Sequence, residues 1–360
     1  MKIMCYYKTW LKIFLLEVLI VVLAAMAAIL YVDPFFHYRK PNKNFHYQLL
    51  SKYERYQNDG IIRHFDYNAI ITGSSMTENF KSSEFDKLFK VKSIKVPFSG
   101  GYYKEITENM EKALSKKHDI KIVLRCLDLI YLVKDKDERG YKDYPTYLYN
   151  DSILDDIEYL FNKDALNLTY SALNNYTKRK AGITSFDDYA NWNKNYKFGA
   201  NIVLKNKFKF EKNVAQTSLS ADKTRRIKLN IQQNVIEIAK RYPHTDFYYY
   251  FPPYSMVYWG KLYKWKEARQ MIAAQEIAAQ MMLECPNIKL FNFSGLRNTI
   301  VDLNNYKDDT HHHEKINSSI LKMMKDKTLL LTKHNYKESF KQQQKLILNF
   351  DYDSLYKQVK

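Results

Sequence analysis

Short runs of apolar residues, separated by amphipathic stretches, restrict this chain to one fold class. The runs do not alternate between apolar and polar positions, as strands with one solvated face do. Their spans are Asn68–Thr72, Ser93–Phe98, Lys121–Leu129, Asp246–Phe251 and Asn287–Phe293. Strands that are buried on both faces and connected by helices form a parallel sheet. The sequence therefore predicts an α/β fold built on a parallel sheet that is covered on both faces.

Helical periodicity occupies the stretches between the predicted strands. Glu105–Lys116 and Asp222–Arg241 each place apolar residues on one face, and Asp222 is suited to cap the second helix. Lys266–Leu283 is rich in Ala and Met, and Pro286 follows its end. In parallel sheets ligands bind beyond the carboxyl ends of the strands. Residues that directly follow the strands are therefore the candidates for a functional site.

Residues 130–221 interrupt this alternation. Asp155–Leu173 has the pattern of a helix, and Ile202–Phe210 has that of a strand or hairpin arm. We expect the segment to be an insertion that lies over the active edge of the sheet. It carries most of a basic region, because residues 171–230 hold thirteen Lys and Arg against four Asp and Glu, half of the net charge of +18. Outside a cell such a region favours anionic polymers or lipid headgroups over nucleic acid.

The N-terminus contains a segment long enough to cross a membrane. Ile13–Val32 is a stretch of twenty residues whose only charge is Glu17, and a helix of about twenty apolar residues spans the hydrocarbon core. Lys2, Lys8 and Lys12 precede the segment, and positive flanks stay in the cytoplasm. The sequence predicts a single-pass anchor with the remainder of the chain outside the cytoplasm.

A cleaved signal peptide is the alternative, because Ala25-Met26-Ala27 has the small-x-small pattern of a cleavage site. That pattern lies inside the apolar run and not after it, which favours an uncleaved anchor. The expected division of the chain is a membrane anchor at residues 1–35, a juxtamembrane linker at 36–60, a main domain at 61–330 and a C-terminal tail at 331–360.

The three cysteines, Cys5, Cys126 and Cys285, do not indicate a disulfide framework. Cys5 precedes the membrane segment and Cys126 falls within a predicted strand. No spacing of Cys and His resembles a zinc site.

Two short segments far apart in the sequence contain the parts of a nucleophilic acyl-transfer site. The first predicted strand stops at Gly73-Ser74-Ser75, and Asp308 lies three residues ahead of His311. A serine at a strand-end turn, a histidine that takes its proton and an aspartate that orients the histidine form such a site. The competing interpretation is that these serines only cap the next turn.

The run of three histidines leaves further alternatives. In one alternative, the pair is Asp309 orienting His312 and not Asp308 orienting His311. The position of Asn317 favours the pair Asp308 and His311. A metal site at His311–His313 is disfavoured, because adjacent residues on a helix or strand cannot all converge on one ion.

These segments resemble the SGNH/GDSL hydrolase superfamily, and within it the membrane-anchored branch that modifies bacterial cell-surface polymers. Ser75 matches the nucleophile of the first block, and Gly100 matches the glycine of the second block, whose amide donates to the oxyanion. Asp308 and His311 match the Asp-x-x-His of the last block, and Asn317 also suits the family pattern. The resemblance covers residues 62–325 in outline. It implies a three-layer, flavodoxin-like parallel sheet, the SGNH hydrolase fold.

One block departs from the family pattern. The segment Arg125-Cys126-Leu127-Asp128 places Leu127 where family members usually have an asparagine that completes the oxyanion hole. Loss of one such donor typically costs on the order of 100- to 1000-fold in rate. The anchored transferase branch tends to lack this asparagine too, so the departure argues mainly against a generic secreted lipase.

The resemblance implies a serine esterase or O-acyltransferase of the bacterial cell membrane. Ser75, Asp308 and His311 would be catalytic, the amides of Ser75 and Gly100 would form the oxyanion hole, and no cofactor or metal is expected. The expected partners are the membrane, an acyl donor, a surface glycan or polyol acceptor such as teichoic acid, and a membrane-embedded acyltransferase. The alternative is a non-catalytic scaffold of the same fold that binds an anionic surface polymer through residues 171–230.

Overall fold

The predicted parallel sheet is present. The structure is a computed structural model that describes residues 2–41, 47–116, 119–150, 152–178, 183–205 and 209–359, without the side chains of residues 2–5 and 175–178. The strands within these residues are β1 (Ala69–Gly73), β2 (Ser93–Pro97), β3 (Ile122–Cys126), β4 (Asp246–Phe251) and β5 (Ile288–Asn292). They form one five-stranded sheet in the order β2-β1-β3-β4-β5, and every pairing is parallel. The α/β class is therefore confirmed.

The helices of the described residues follow in chain order. They are α1 (Lys2–Val32), α2 (Glu54–His64), α3 (Ser82–Phe89), α4 (Tyr103–Lys116), α5 (Ile157–Leu160), α6 (Lys163–Lys178), α7 (Ala200–Val203), α8 (Ala221–Ile231), α9 (Glu237–Arg241), α10 (Met256–Lys264), α11 (Ala268–Met282), α12 (Arg297–Val301), α13 (Glu314–Lys325) and α14 (Tyr336–Leu348). A π-helical segment, Gln232–Ile236, joins α8 to α9.

The order of the strands places a crevice beside β1. Every residue of β1, β2 and β3 is buried. Because successive side chains point to opposite faces of a sheet, both faces must be covered. The chain first moves outward from β1 to β2, then returns to the other side of β1 to form β3. This reversal is the topological switch point at which open α/β sheets bind ligands, and the order is consistent with a flavodoxin-like layout.

The contacts divide the chain into two compact units. Unit 1 comprises Met1–Phe65 and Tyr144–Thr184, and unit 2 comprises Asp66–Asp143 and Ser185–Lys360. This division differs from the domains expected from the sequence. Residues 36–60, expected to be a linker, contain most of α2 and belong to unit 1. Residues 144–184, expected to be part of an insertion, also belong to unit 1.

Unit 1 is built around a small core at the C-terminal end of α1. Helices α5 and α6 both contact α1. The buried core residues are Ile29, Phe35, Tyr53, Leu148, Tyr159 and Ala165. In α2, Gly60 lies so close to Phe35 and Phe36 that a Cβ atom would be 2.4 Å from the Phe35 carbonyl oxygen. Burial of Tyr53 in this core and the close packing at Gly60 explain why α2 belongs to a folded unit and not to a linker.

Unit 2 contains the sheet and the C-terminal residues. Helix α14 packs on α11, and Phe340 and Ile347 of α14 are buried. The buried amide of Gln343 donates to the side-chain oxygen of Gln275 at 2.9 Å. The last residues of the chain, expected to form a separate tail, are therefore largely part of the folded unit.

Two local predictions need correction. The segment Ile202–Phe210 does not form a strand where it is described: Ile202 and Val203 lie in α7, and residues 206–208 lie outside the described residues. A short apolar run fits one helical turn as well as a strand, and here Ala200 and Leu204 are buried. The cap of α8 is Ser220, whose hydroxyl accepts from the Lys223 amide at 3.2 Å.

Helix α1 is long and apolar enough to cross a membrane. The stretch that meets this criterion, Tyr6–Val32, has 27 residues. The side chains of Lys2 and Cys5, used in the predictions of orientation and of cysteine chemistry, lie outside the described ones. Cys126 and Cys285 are buried free thiols.

Candidate active site

The candidate nucleophile follows β1 on a turn that only glycine permits. Gly73 ends β1 with φ +144°. A Cβ atom there would lie 2.8 Å from the Thr77 methyl carbon and 3.1 Å from the Cys126 Cβ atom. Ser75 then begins a 3₁₀ turn, Ser75–Thr77. A side chain larger than that of glycine would therefore clash at position 73. The sharp turn places Ser75 at the switch point.

The buried side chain of Ser74 stabilises this turn through hydrogen bonds. Its side chain is buried, accepts from the Met76 amide at 3.3 Å and donates to the carboxylate of Asp128 at 2.6 Å. The other oxygen of Asp128 accepts from the Tyr254 hydroxyl at 2.5 Å. Burial raises the pKa of Asp128, and these hydrogen bonds act in the opposite direction. Ser74 is thus a turn residue, as the sequence indicates, whereas its partners Asp128 and Tyr254 are not evident from the sequence.

Ser75 and His311 are in hydrogen-bond contact although 236 positions separate them. The Ser75 Oγ atom lies 2.8 Å from Nε2 of His311. On the other side of the ring, Nδ1 lies 2.8 Å from Oδ2 and 3.0 Å from Oδ1 of Asp308. The structure therefore brings the three predicted residues together in the sequence Ser–His–Asp. This is the geometry that nucleophilic activation requires.

Asp308 is fixed by the backbone as well as by the histidine. Its Oδ1 atom accepts from the amides of Thr310 at 2.9 Å and His311 at 2.8 Å. Burial raises the pKa of Asp308, but hydrogen bonds from His311, the charge of its ring and the backbone donors outweigh burial and hold that pKa well below its usual range. An ionised carboxylate facing Nδ1 keeps the proton on that nitrogen, so Nε2 is free to accept the serine proton.

The alternative pair, Asp309 with His312, is not assembled. His312 is buried, and its Nδ1 atom lies 3.4 Å from the His313 carbonyl oxygen. The Asp309 carboxylate instead pairs with Lys261 at 2.8 Å. His313 caps α13 by accepting from the Lys315 amide at 3.1 Å. The three adjacent histidines therefore have three different environments, and His311 alone among them faces Ser75.

Burial of His312 makes the fold sensitive to acid. Burial lowers the pKa of this imidazole from 6.5 to about 4. Between these values the unfolded chain binds a proton at His312 and the folded chain does not. The stabilisation is therefore complete above about pH 6.5 and is lost as the pH falls toward the folded-state pKa.

Aromatic and cationic groups that the sequence did not indicate surround the histidine. The ring of Trp192 lies edge-on to His311, with centroids 5.6 Å apart and planes at 87°. The ammonium of Lys307 lies 4.7 Å from the Trp192 centroid and 4.1 Å from the Tyr196 centroid. It also lies 3.3 Å from Oδ2 of Asp308. Lys307 adjoins Asp308 in sequence and could have been suspected, but Trp192 and Tyr196 carry no local signal.

Asn317 connects the histidine region to the turn of the serine. Its side-chain amide, buried on α13, donates to the Met76 carbonyl oxygen at 3.1 Å. Met76 directly follows Ser75. The contact couples α13, which begins just after His311, to the backbone that positions the nucleophile.

The second expected oxyanion donor, the amide of Gly100, follows β2. Gly100 lies in the exposed turn after β2, with φ +66°. Strand β2 is the neighbour of β1, and the Phe98 amide donates to the Gly73 carbonyl at 2.8 Å. The two turns therefore leave the same edge of the sheet, while the role of the Gly100 amide stays a prediction. Leu127 is buried and apolar, so its side chain supplies no donor.

Among the described residues, no group of three or more His, Cys, Asp or Glu side chains is arranged to hold a metal ion. Comparison of the sequence with protein-family models and with curated proteins finds no match.

Proposed function

We propose that this protein is a serine esterase or O-acyltransferase of the SGNH type. The observation that carries the proposal is the continuous chain of contacts from Ser75 through His311 to Asp308, located at the switch point of a parallel sheet. The order of the strands and the turn at Gly73 support the same assignment. The departure at Leu127 leaves the backbone amides of Ser75 and Gly100 as the expected oxyanion donors.

The reaction has two steps. His311 takes the Ser75 proton on Nε2 as Oγ bonds to the carbonyl carbon of an ester or thioester, and the oxyanion forms opposite the backbone amides. The intermediate then collapses, the bond to the leaving group breaks, and His311 gives its proton to that group. The resulting acyl-enzyme reacts in the same way with water or with a hydroxyl of the acceptor. Asp308 stabilises the imidazolium in both steps.

The membrane anchor favours a surface polymer as the acceptor. A span keeps the site within reach of the membrane, where acyl donors and nascent envelope polymers are delivered. We propose a glycan or polyol hydroxyl, as in teichoic acid or polysaccharide, as the acceptor and a membrane-embedded acyltransferase as the partner. A bacterial envelope location outside the cytoplasm completes the proposal. An alkaline phosphatase fused to the C-terminus should be active, because this enzyme works only outside the cytoplasm. If that fusion is inactive and a cytoplasmic reporter at the same position is active, the proposed orientation is wrong.

A fluorophosphonate probe tests the nucleophile directly, because it reacts covalently with activated serines. The wild-type protein should be labelled on Ser75, and Ser75→Ala should not be labelled. Ser319→Ala is the matched control, since Ser319 is an exposed serine of α13 that only bonds to the Lys315 carbonyl at 3.0 Å. A folded wild-type protein that does not react would reject an activated serine.

The non-catalytic scaffold is the alternative outcome. Reversal of the charges of Lys205, Lys209, Arg225 and Arg226 should leave the labelling of Ser75 unchanged if the site is catalytic and independent of polymer binding. Lys207 is a fifth basic residue chosen for this charge reversal, and it lies outside the described residues. Complementation of a deletion strain by Ser75→Ala, but not by the charge-reversed protein, would favour the scaffold.

A further inference from the structure

Unit 1 exposes a set of large apolar side chains along the segment that contains α5 and α6. Ile153 and Leu154 are 84 % and 86 % exposed, Phe161 is 62 % exposed and Tyr170 is 70 % exposed. We call the whole set the apolar patch: Ile153, Leu154, Ile157, Phe161, Leu166, Tyr170 and Leu173. Exposure of this many large apolar side chains in one short segment indicates an interaction surface.

The patch has the spacing of a helix surface. Leu166, Tyr170 and Leu173 lie at i, i+4 and i+7 along α6, so they share one face. The adjoining face of α6, roughly 90° around the helix axis, packs into unit 1, because Ala165 and Thr169 are buried. The apolar surface of α6 therefore extends beyond the side that packs into unit 1. Among the described residues, Leu166, Tyr170 and Leu173 stay at least 38 % exposed, so this surface is available to a partner outside the protein.

Aromatic residues on α1 mark where a membrane would begin and end. Trp10 and Tyr31 are both largely exposed and lie 21 residues apart. At 1.5 Å per residue the separation is about 31 Å, close to the ~30 Å thickness of the hydrocarbon core. Trp and Tyr are enriched at both boundaries of membranes. Tyr31 therefore lies at the boundary on the side of the membrane where α1 ends.

The segment that carries the patch is attached to α1 at this same boundary. Ile29, two residues before Tyr31, is fully buried in one cluster with Tyr159 and Ala165. The guanidinium of Arg39 donates to the carbonyl oxygens of Leu30 and Tyr31, the latter at 2.8 Å. Exposed cations at the ends of spans are typical of the headgroup region. The helices that carry the patch, α5 and α6, are thus packed against the end of α1 that lies at this boundary.

We propose that the apolar patch inserts into the boundary between headgroups and acyl chains of the membrane that α1 spans. The partner is a phospholipid bilayer surface, and Arg39, Lys40 and Lys163 provide the cations that favour anionic headgroups. Unit 1 then has two attachments, one spanning the membrane and one lying in its plane. Two attachments fix the tilt and rotation of α1, which a single span leaves free.

Single-cysteine labelling of the full-length protein tests this proposal. Leu154→Cys, Phe161→Cys and Leu166→Cys place an environment-sensitive nitrobenzoxadiazole dye on exposed positions, where the change should not affect folding. The background carries Cys5→Ser, since Cys126 and Cys285 are buried. Ser171→Cys is the matched control, because this exposed residue of α6 points about 100° or more away from Leu166, Tyr170 and Leu173.

The protein is reconstituted in vesicles of phosphatidylcholine and phosphatidylglycerol with a nitroxide on the acyl chain. The dyes at residues 154, 161 and 166 should shift to blue emission and be quenched several-fold more strongly than the dye at residue 171. Dyes at these positions that stay water-exposed while the protein remains in the vesicles would overturn the proposal. Shielding that occurs only in native membranes would also overturn it, in favour of a membrane protein as the partner.

Discussion

Replacement of Asp308 by Asn removes the negative charge of the carboxylate but keeps the size and shape of the side chain. The carboxylate oxygen Oδ1 accepts from the amides of Thr310 and His311, whereas Oδ2 faces Nδ1 of His311 at 2.8 Å. The backbone donors require an oxygen, so the amide oxygen of an asparagine takes the Oδ1 position. Its NH₂ group then faces Nδ1 and donates to it. The ring must carry its proton on Nε2, and it can no longer accept the proton of Ser75.

The expected loss of reactivity at Ser75 follows from this change of the His311 tautomer. The wrong tautomer in a Ser–His–Asp triad costs about 10⁴-fold in rate, or roughly 5 kcal/mol of transition-state stabilisation. The second-order rate of fluorophosphonate labelling should fall by about this factor in Asp308→Asn, while the thermal midpoint changes little because the residues are isosteric.

Asp309→Asn is the matched control for this variant. Asp309 is the neighbouring carboxylate, and it pairs with Lys261 away from the histidine. Its labelling rate should stay within about threefold of the wild type. Retention of the rate within tenfold in Asp308→Asn, or a larger loss in Asp309→Asn, would refute the assignment of the orienting residue.

Three further predictions concern the surroundings of the site. Gly73→Ala should lower the free energy of unfolding by about 2 kcal/mol or more in urea titrations, because of its positive φ and close contacts, whereas Gly295→Ala, with its nearest neighbour atom 3.5 Å away, should be almost neutral. Equal effects would reject the steric argument. As the pH falls from 6.5 to 4, wild-type protein should lose about 3 kcal/mol more of its unfolding free energy than His312→Gln does, and parallel profiles would contradict the buried neutral imidazole. Lys307→Gln should slow labelling of Ser75 by less than tenfold, since a partly exposed ion pair contributes about 0.2–1 kcal/mol, and a loss as large as that of Asp308→Asn would give Lys307 a greater role.

The sequence was sufficient to predict the sheet and the proximity of Ser75, His311 and Asp308. The strands are short apolar runs with clear ends, and the observed bounds of Asp246–Phe251 match the predicted ones. Ser75 could be placed because it directly follows the first strand, and the Asp-x-x-His spacing lets one turn present Asp308 and His311. The pairing of Ser75 with His311 followed from the resemblance to the SGNH family pattern, because His311 lies nineteen residues after the end of β5.

The missing features depend on contacts between distant residues. Nothing near Trp192 in the sequence indicates that its ring meets His311, and nothing near Tyr254 indicates its bond to Asp128. Unit 1 was missed for the same reason, since Tyr53, just before α2, is buried by packing with distant residues such as Leu148 and Tyr159. Short apolar pieces such as Ile202–Phe210 fit either a strand or a helical turn, and tertiary packing decides between them.

The central claim is that Ser75 carries the acyl group, and trapping that intermediate tests it most directly. The protein is mixed with 4-nitrophenyl acetate, quenched in acid and analysed by intact and peptide mass spectrometry. We expect one acetyl group on the peptide that contains Ser75, its disappearance when a polyol acceptor is added, and no acetyl group on Ser75→Ala. Absence of the acetyl group from the folded wild-type protein, or equal acetylation of Ser75→Ala at another residue, would contradict the proposed mechanism.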